Sequence, residues 1–192
     1  MAGMDSALRD KIPTKLLWVD LEMTGLEVDK DVILEVAAEV TDFDFKTLAS
    51  YEACILRSDE ELGRMNDWSM AQHSSSGLVE RIKKAGKPED AVKHELIGFI
   101  NAQFNAEPAI LAGNSIHNDR NFIKKWWPEV DALLHYRMVD VSSLKVIMQA
   151  KYGVTFDKKD AHRAFDDIQA SIAELQYYRE WFRVNDTPNA EN

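Results

Sequence analysis

The sequence predicts an α/β domain with a mixed five-stranded sheet, and three observations support that fold class. Apolar segments of strand length follow one another closely in the first part of the chain and later alternate with segments of helical periodicity. The length of 192 residues suits one domain. Neither an internal repeat nor an interdomain linker divides the sequence. We therefore expect residues 15–184 to form the domain, and residues 1–14 and 185–192 to be flexible extensions.

Five apolar segments have the length and composition of buried strands. The first begins at Lys15 and ends at Asp20, so that an acidic side chain lies at the end of a buried strand. Only a short turn separates the second segment from the third, which predicts that they pair antiparallel. The predicted strands are residues 15–20, 32–45, 49–56, 108–113 and 136–141.

Helical patterns occupy most of the remaining sequence. Pro88 opens the first clear helix, since proline is favoured at a helix N-terminus. Between residues 58 and 86 the pattern is helical but irregular, with a loop expected at residues 73–77. The predicted helices are residues 88–105, 119–127, 142–152 and 161–183. We expect these helices to flank the sheet.

Composition limits the classes of function. The formal net charge of −10 argues against a protein that coats long nucleic acid, although metal ions could neutralise carboxylates and the phosphates of a short substrate together. No apolar run approaches the roughly 20 residues of a membrane span, and the first 15 residues lack the apolar core of a signal peptide. A single cysteine, Cys54, excludes an internal disulfide. We expect a cytoplasmic protein with no membrane partner.

Three acidic clusters lie far apart in the sequence, and only folding could bring them together. Asp20 and Glu22 are two residues apart on one predicted strand, so both side chains point to the same face. Asp119 follows a predicted strand and a glycine-containing turn, and Asp167 lies in the last helix. The alternatives are an exposed sheet edge for the first pair and helix capping for Asp119. Adjacent carboxylates repel one another unless cations lie between them, and their oxygens favour Mg²⁺ or Mn²⁺, which suggests a phosphodiesterase.

Helical periodicity separates two adjacent aspartates in the last helix. On a helical wheel Asp166 points away from the apolar stripe, whereas Asp167 lies near its edge, where the helix meets the sheet. His162 precedes them by one helical turn. A lone histidine is usually structural or exposed, but an imidazole that titrates near pH ~6.5 also suits a general base. The apolar stripe consists of Phe165, Ile168, Ile172, Leu175 and Phe182.

Three segments that contain these acids resemble the exonuclease motifs of the DEDDh superfamily. They are Asp20–Leu26, Gly113–Asp119 and His162–Ile168. The chain as a whole, from about Leu16 to Phe182, is similar to the oligoribonuclease family. Further segments that fit this family are Trp68, residues 76–81, residues 135–137 and residues 177–180.

The resemblance implies a ribonuclease H-like fold and a homodimer. The implied activity is 3′-to-5′ hydrolysis of very short oligoribonucleotides, down to dinucleotides, to nucleoside 5′-monophosphates, as a final step of RNA turnover. The implied metal ligands bind two divalent ions, Mg²⁺ or Mn²⁺, and the implied general base is His162. By motif position the metal ligands are Asp20, Glu22, Asp119 and Asp167.

The resemblance also assigns residues to the substrate. Leu26 would lie against the bases, and Trp68 would stack on one of them. His73 and Ser115 would approach the substrate backbone. A second group, which would come from the partner subunit and close the far end of the site, consists of Tyr136, Arg137 and Ser142. Taken without the resemblance, core or dimer packing is favoured over substrate contact for Trp68 and Tyr136.

Two other functions are also compatible with the sequence. The same motifs occur in DEDDh exonucleases that proofread DNA or trim tRNA, which act on longer strands and need open access to the site. A non-catalytic interaction protein with this fold is the other alternative. A non-catalytic protein is expected to have lost at least one metal-ligand residue, whereas all four acids and His162 are present.

Overall fold

The computed structural model describes residues 13–157 and 163–185 and confirms the predicted α/β architecture. The strands are β1 Lys15–Met23, β2 Ile33–Asp42, β3 Thr47–Cys54, β4 Ala109–Gly113 and β5 Leu134–Asp140. They form one sheet in the order β3-β2-β1-β4-β5. Strand β2 is antiparallel to β1 and β3, whereas β4 is parallel to β1 and β5. The sheet is therefore mixed, as predicted.

Helices cover both faces of this sheet. Within the described part of the chain they are α1 Asp59–Leu62, α2 Asp67–Ser75, α3 Leu78–Ala85, α4 Glu89–Phe104, α5 His117–Trp126, α6 Pro128–Asp131, α7 Val141–Tyr152 and α8 Ala164–Asn185. Helices α4 and α5 pack on one face. Helices α7 and α8 pack on the other. No helix in the described ranges is both long and apolar enough to cross a membrane.

Alternation along β1 determines which face carries the acidic pair. Trp18 is fully buried and packs with Ile168 and Ile172 of α8. Asp20 and Glu22 follow Trp18 at even spacing, so they share its face. Strands β1 and β4 are parallel, and ligands of α/β sheets bind beyond the carboxyl ends of such strands. The fold thus places the acidic pair at the sheet edge where a site is expected.

The prediction of a loop at residues 73–77 is wrong for residues 73–75, which belong to helix α2. The serines of this segment favour a loop locally. A tertiary contact overrides that preference, because the buried ring of His73 bonds the carbonyl oxygen of Met23. Strand β1 also continues beyond Asp20 to Met23, since it stays paired with β2.

Helix α5 begins at His117, two residues before its predicted start. The backbone of Ser115 is left-handed, with φ 49°, and this sharp turn ends the connection from β4 early. The predicted start of the last helix at residue 161 lies outside the described residues. The same holds for residues 1–12 and 186–192 of the expected extensions.

Candidate active site

Three of the predicted metal ligands meet at the carboxyl end of β1. Asp20 and Glu22 project from that strand, and Asp167 reaches them from helix α8. One carboxylate oxygen from each residue lies within 4.8 Å of the other two. All three side chains are partly buried. Folding thus joins acids from the first and last elements of the domain into one group, here called the acidic cluster.

The fourth predicted ligand, Asp119, lies beside the acidic cluster. It is buried in the first turn of α5, and its Oδ1 accepts a hydrogen bond of 2.9 Å from the backbone N–H of Leu21. Leu21 stands between Asp20 and Glu22, so this bond holds Asp119 against the strand end. The parallel pairing of β1 with β4 makes the contact possible, because α5 follows the carboxyl end of β4.

Burial and mutual repulsion raise the pKa values of the site carboxyls. The pKa of Glu22 rises from 4.5 to about 7, first because the side chain is buried and then because Glu35, Asp167 and Asp119 lie nearby. The positive charge of Arg81 opposes this rise in pKa. Burial also raises the pKa of Asp119. A bound cation would offset both the burial and the repulsion, so the electrostatics favour cation binding.

We expect the metal-free protein to lose stability as the pH rises from about 4.5 to about 7. In this window Glu22 keeps its proton in the folded state and releases it in the unfolded state. The folded state binds more protons, so the free energy of unfolding falls with rising pH, by on the order of 2 kcal/mol for this carboxyl. Urea unfolding in chelator at both ends of the window measures the change.

A matched variant isolates the contribution of this carboxyl. Glu22→Gln has no proton to release, so the decrease in its unfolding free energy over the same window should be smaller than in the wild type. Equal pH dependence in the two proteins would contradict the assignment to Glu22. Saturating Mg²⁺ should restore the stability of the wild type near neutral pH by mass action.

The adjacent aspartates of α8 have different surroundings. Asp166 is exposed, whereas Asp167 is partly buried and joins the acidic cluster. Ala164 and Ile168 on the same helix are buried against the sheet. The structure therefore has the orientation that the helical wheel predicted. His162, the predicted general base, lies outside the described residues.

His73 lies directly against the acidic cluster. Its Nε2 donates a hydrogen bond of 2.9 Å to the carbonyl oxygen of Met23, and its Nδ1 is 3.8 Å from Oε2 of Glu22. Burial lowers the pKa of His73, so the ring is neutral near pH 7 and its contact with Glu22 is not an ion pair. The ring joins the C-terminal turn of α2 to the end of β1. Its contact with the substrate backbone stays a prediction.

Leu26 lies on a loop whose backbone is held by Asp31. The hydroxyl of Thr24 and the N–H of Glu27 each donate a 2.8 Å hydrogen bond to the Asp31 carboxylate. A Cβ atom at Gly25 would lie 2.5 Å from Asp31 Oδ2, so a larger residue there would displace the Asp31 carboxylate from these bonds. The side chain of Leu26 is 78% exposed. Contact of Leu26 with the bases stays a prediction.

Ser115 and Ser142 are neighbours within one chain. The N–H of Ser115 donates to Oδ1 of Asp140 at 3.0 Å and to Oγ of Ser142 at 2.9 Å. The two serine hydroxyl oxygens are 3.1 Å apart, and Ser142 also donates to Oδ1 of Asn114 at 3.2 Å. Ser142, predicted to act from the partner subunit, thus contacts Ser115 of its own chain. A substrate contact stays a prediction for both serines.

Two aromatic side chains predicted to contact the substrate are exposed. Trp68 is 68% exposed in the first turn of α2, and Tyr136 is 55% exposed on the edge strand β5. The ring of Tyr136 stacks on His135 at 4.5 Å between centroids, and the guanidinium of Arg137 lies 5.1 Å from the centre of the Tyr136 ring. Core packing, the alternative for Trp68 and Tyr136, is therefore excluded. The roles that remain for both side chains are contact with the substrate and contact with a second chain.

Two fully buried acids on β2, Glu35 and Glu39, were not among the residues predicted from the sequence. Both lie on the face of the acidic cluster, because Glu35 is the register partner of Glu22. Glu39 accepts a hydrogen bond from Gln169 of α8, and Glu35 accepts one of 2.8 Å from Arg81. A signal was present in the sequence, since two acids at even spacing interrupt a strand that is otherwise apolar.

The Exonuclease family called RNase T matches residues 17–175, which is most of the chain. This match, the mixed sheet and the acidic cluster together define a nuclease of the exonuclease class. An oligoribonuclease of Francisella tularensis subsp. tularensis is 42% identical over 167 residues, which cover 86% of this chain and 94% of that protein. An oligoribonuclease of Idiomarina loihiensis is 43% identical over 177 residues, which cover 90% and 97%. The chain belongs to the oligoribonuclease family, as the sequence motifs predicted.

Solved structures share the fold. Exonuclease I of E. coli in complex with single-stranded DNA has a TM-score of 0.68 and 13% identity, and the match covers 90% of this chain and 43% of that chain. Its complex with a dT13 oligonucleotide has a TM-score of 0.68 and 14% identity, with 90% and 42% covered. The chain thus spans less than half the length of these structures. At such identity the similarity concerns the fold alone, and it confirms the predicted ribonuclease H-like sheet.

Proposed function

We propose that the protein is a 3′-to-5′ exoribonuclease that degrades very short oligoribonucleotides, down to dinucleotides, to nucleoside 5′-monophosphates. The observation that carries this proposal is the acidic cluster with Asp119 bonded beside it, in a chain 42% identical to an oligoribonuclease over 94% of that protein. Removal of the shortest fragments is a final step of RNA turnover. We also propose that the protein acts in the cytoplasm, in keeping with its single cysteine.

The donor set of the site fits divalent cations. All four predicted ligands offer carboxylate oxygens, which favour Mg²⁺ or Mn²⁺ over softer metals. Asp20, Glu22, Asp119 and Asp167 would hold two such ions. Bound ions would supply charge neutralisation at the scissile phosphate and make an attacking water easier to ionise. The raised pKa of Glu22 supports this proposal, because the metal-free site holds more negative charge than its surroundings stabilise.

The residues of the chain would orient the water and the acids. His162 would accept the proton of the attacking water on an imidazole nitrogen, since an ordinary imidazole is mostly neutral at pH 7. The N–H of Leu21 keeps Asp119 aligned with the strand end. The packing of α8 on the sheet keeps Asp167 in the acidic cluster.

Exposed apolar side chains would hold the bases. Leu26 would lie against them and Trp68 would stack on one, which is worth roughly 1–3 kcal/mol for each stacked base and is tolerant of sequence. The exposure of both side chains supports these roles. His73 and Ser115 would approach the sugar-phosphate backbone of the substrate.

The protein would act as a homodimer in which Tyr136, Arg137 and Ser142 of one chain close the far end of the other chain's site. Strand β5 is at the edge of the sheet, and such edges are usually covered. The exposed ring of Tyr136, with the Arg137 guanidinium against it, offers an aromatic surface and a cation for a terminal nucleotide. This closure would restrict the site to the shortest substrates.

A pentaribonucleotide labelled at its 5′ end tests the direction of hydrolysis and the products. We expect labelled tetra-, tri- and dinucleotides to appear in turn before the labelled mononucleotide, because each step removes the 3′-terminal nucleotide. Chromatography should show the released products as 5′-monophosphates. Immediate release of the labelled mononucleotide, or products that carry a 3′-phosphate, would refute the proposal.

A further inference from the structure

A single guanidinium bridges the sheet beneath the acidic cluster and the end of helix α2. Nη2 of Arg81 donates to Oε1 of Glu35 at 2.8 Å, and its Nη1 donates to the carbonyl oxygen of Ser76 at 3.0 Å. Glu35 is fully buried on β2, directly across from Glu22 in the strand register. Ser76 is the C-terminal capping residue of α2. Arg81 itself belongs to the next helix, α3.

Helix α2 carries two of the side chains assigned to the substrate. Trp68 lies in its first turn, and His73 lies in its last turn against Met23 and Glu22. The C-terminal end of α2 is therefore held at two points, by His73 on β1 and by Arg81 through Ser76. Trp68 and His73 belong to one helix of nine residues, so we expect a displacement of its C-terminal end to move Trp68 as well.

Stability alone does not account for the Arg81–Glu35 pair. Oε2 of Glu35 and Nε of Arg81 are buried without a hydrogen-bond partner in residues 13–157 and 163–185. An ion pair left partly unsatisfied in the interior contributes little to folding and is often replaceable by apolar side chains. Glu35 is also the cross-strand neighbour of Glu22, and two adjacent carboxyl groups are unfavourable when both are ionised.

We propose that Arg81 is a positioning residue for the substrate. With Glu35 as its fixed support, it locks the C-terminal end of α2, so that Trp68 and His73 face the acidic cluster in one arrangement. Arg81 acts through α2 and touches neither the substrate nor the metal ligands. The inference rests on the proposed function, since it concerns how the bases of a short RNA are held.

A double-mutant cycle with Trp68 tests the inference on dinucleotide hydrolysis in saturating Mg²⁺. Arg81→Met should lower kcat/KM by about 10- to 100-fold, mainly through KM, because a small displacement of substrate-holding groups is costly. In the Trp68→Ala background Arg81→Met should lower kcat/KM by at most about threefold, since the indole side chain that it would misplace is already absent. Equal losses in both backgrounds would overturn the inference.

Arg57 supplies the matched control for this cycle. Its side chain is more buried than that of Arg81, 8% against 26% exposed. Like Arg81 it bonds a carbonyl oxygen and a carboxylate, those of Ile33 and Glu89, but it makes no bond to α2. Arg57→Met should lower kcat/KM by the same factor, within about twofold, in the wild-type and the Trp68→Ala backgrounds. The loss of kcat/KM caused by Arg57→Met could instead depend on Trp68 as strongly as the loss caused by Arg81→Met. That result would show a general loss of structure and overturn the specific role of Arg81.

Hydrogen exchange supplies a second measurement that needs no activity. Arg81→Met should speed the exchange of the α2 amides by about tenfold or more, and Arg57→Met should leave them unchanged. If Arg81→Met does not fold, Glu35→Leu/Arg81→Met replaces it, because that pair leaves no unpaired buried charge. Unchanged α2 exchange in the folded variant would overturn the inference. A wild type without dinucleotide hydrolysis would refute the proposed function, and the exchange result would still decide the role of Arg81.

Discussion

Asp167→Ala should lower turnover of a dinucleotide by about 10³-fold or more, because it removes one carboxylate of the proposed two-ion site. Asp167 contributes an oxygen to the acidic cluster, within 4.8 Å of oxygens from Asp20 and Glu22. The remaining acids would hold the ions incompletely and out of line with the phosphate. Steady-state kinetics in saturating Mg²⁺ measures the loss.

The neighbouring residue provides the control for that variant. Asp166 has the same charge and lies in the same turn of α8, but its side chain is exposed and outside the acidic cluster. Asp166→Ala should therefore retain most of the wild-type turnover, since exposed surface substitutions usually have small effects. Comparable losses in the two variants would contradict the assignment. Circular dichroism of both variants checks that the fold is intact.

Removal of divalent ions should abolish hydrolysis, and added Mg²⁺ or Mn²⁺ should restore it. The carboxylates would remain close together, but nothing would offset the charge that develops on the phosphate. The same ions should also stabilise the fold, by about 2.7 kcal/mol at a concentration of 100 Kd. Turnover and thermal unfolding, each measured in chelator and after addition of metal, report both effects.

Asp167→Ala again gives the matched comparison for this second experiment. Its stability should depend less on Mg²⁺ than that of the wild type, because one ligand is missing. Asp166→Ala should gain as much stability from Mg²⁺ as the wild type does. Full turnover in chelator, or equal stabilisation of all three proteins by metal, would contradict a metal site at the acidic cluster.

The parts of the fold that sequence periodicity controls were predictable. Apolar runs of strand length predicted five strands, and the order of strands and helices predicted the mixed sheet. The 3.6-residue period of α8 also separated Asp166 from Asp167 correctly. These features follow from local sequence, because side-chain direction in a strand or helix is determined by spacing.

Features that depend on contacts between distant elements were not predictable. The helical state of His73 follows from its bond to Met23, fifty residues away in sequence. The pairing of Glu35 with Arg81 is known only once β2 and α3 are placed side by side. The contact of Ser115 with Ser142 likewise requires the turn at the end of β4. Sequence spacing carries no information on such pairings.

A competition between a dinucleotide and a long labelled RNA tests the proposed preference for the shortest RNA. Both substrates are mixed with the wild-type protein in Mg²⁺, and the ratio of their kcat/KM values is measured. We predict that the dinucleotide is favoured by about tenfold or more, because Tyr136 and Arg137 of the partner subunit would close the site to a longer strand. Equal rates on both substrates would contradict the claim and favour an exonuclease that trims or proofreads longer strands.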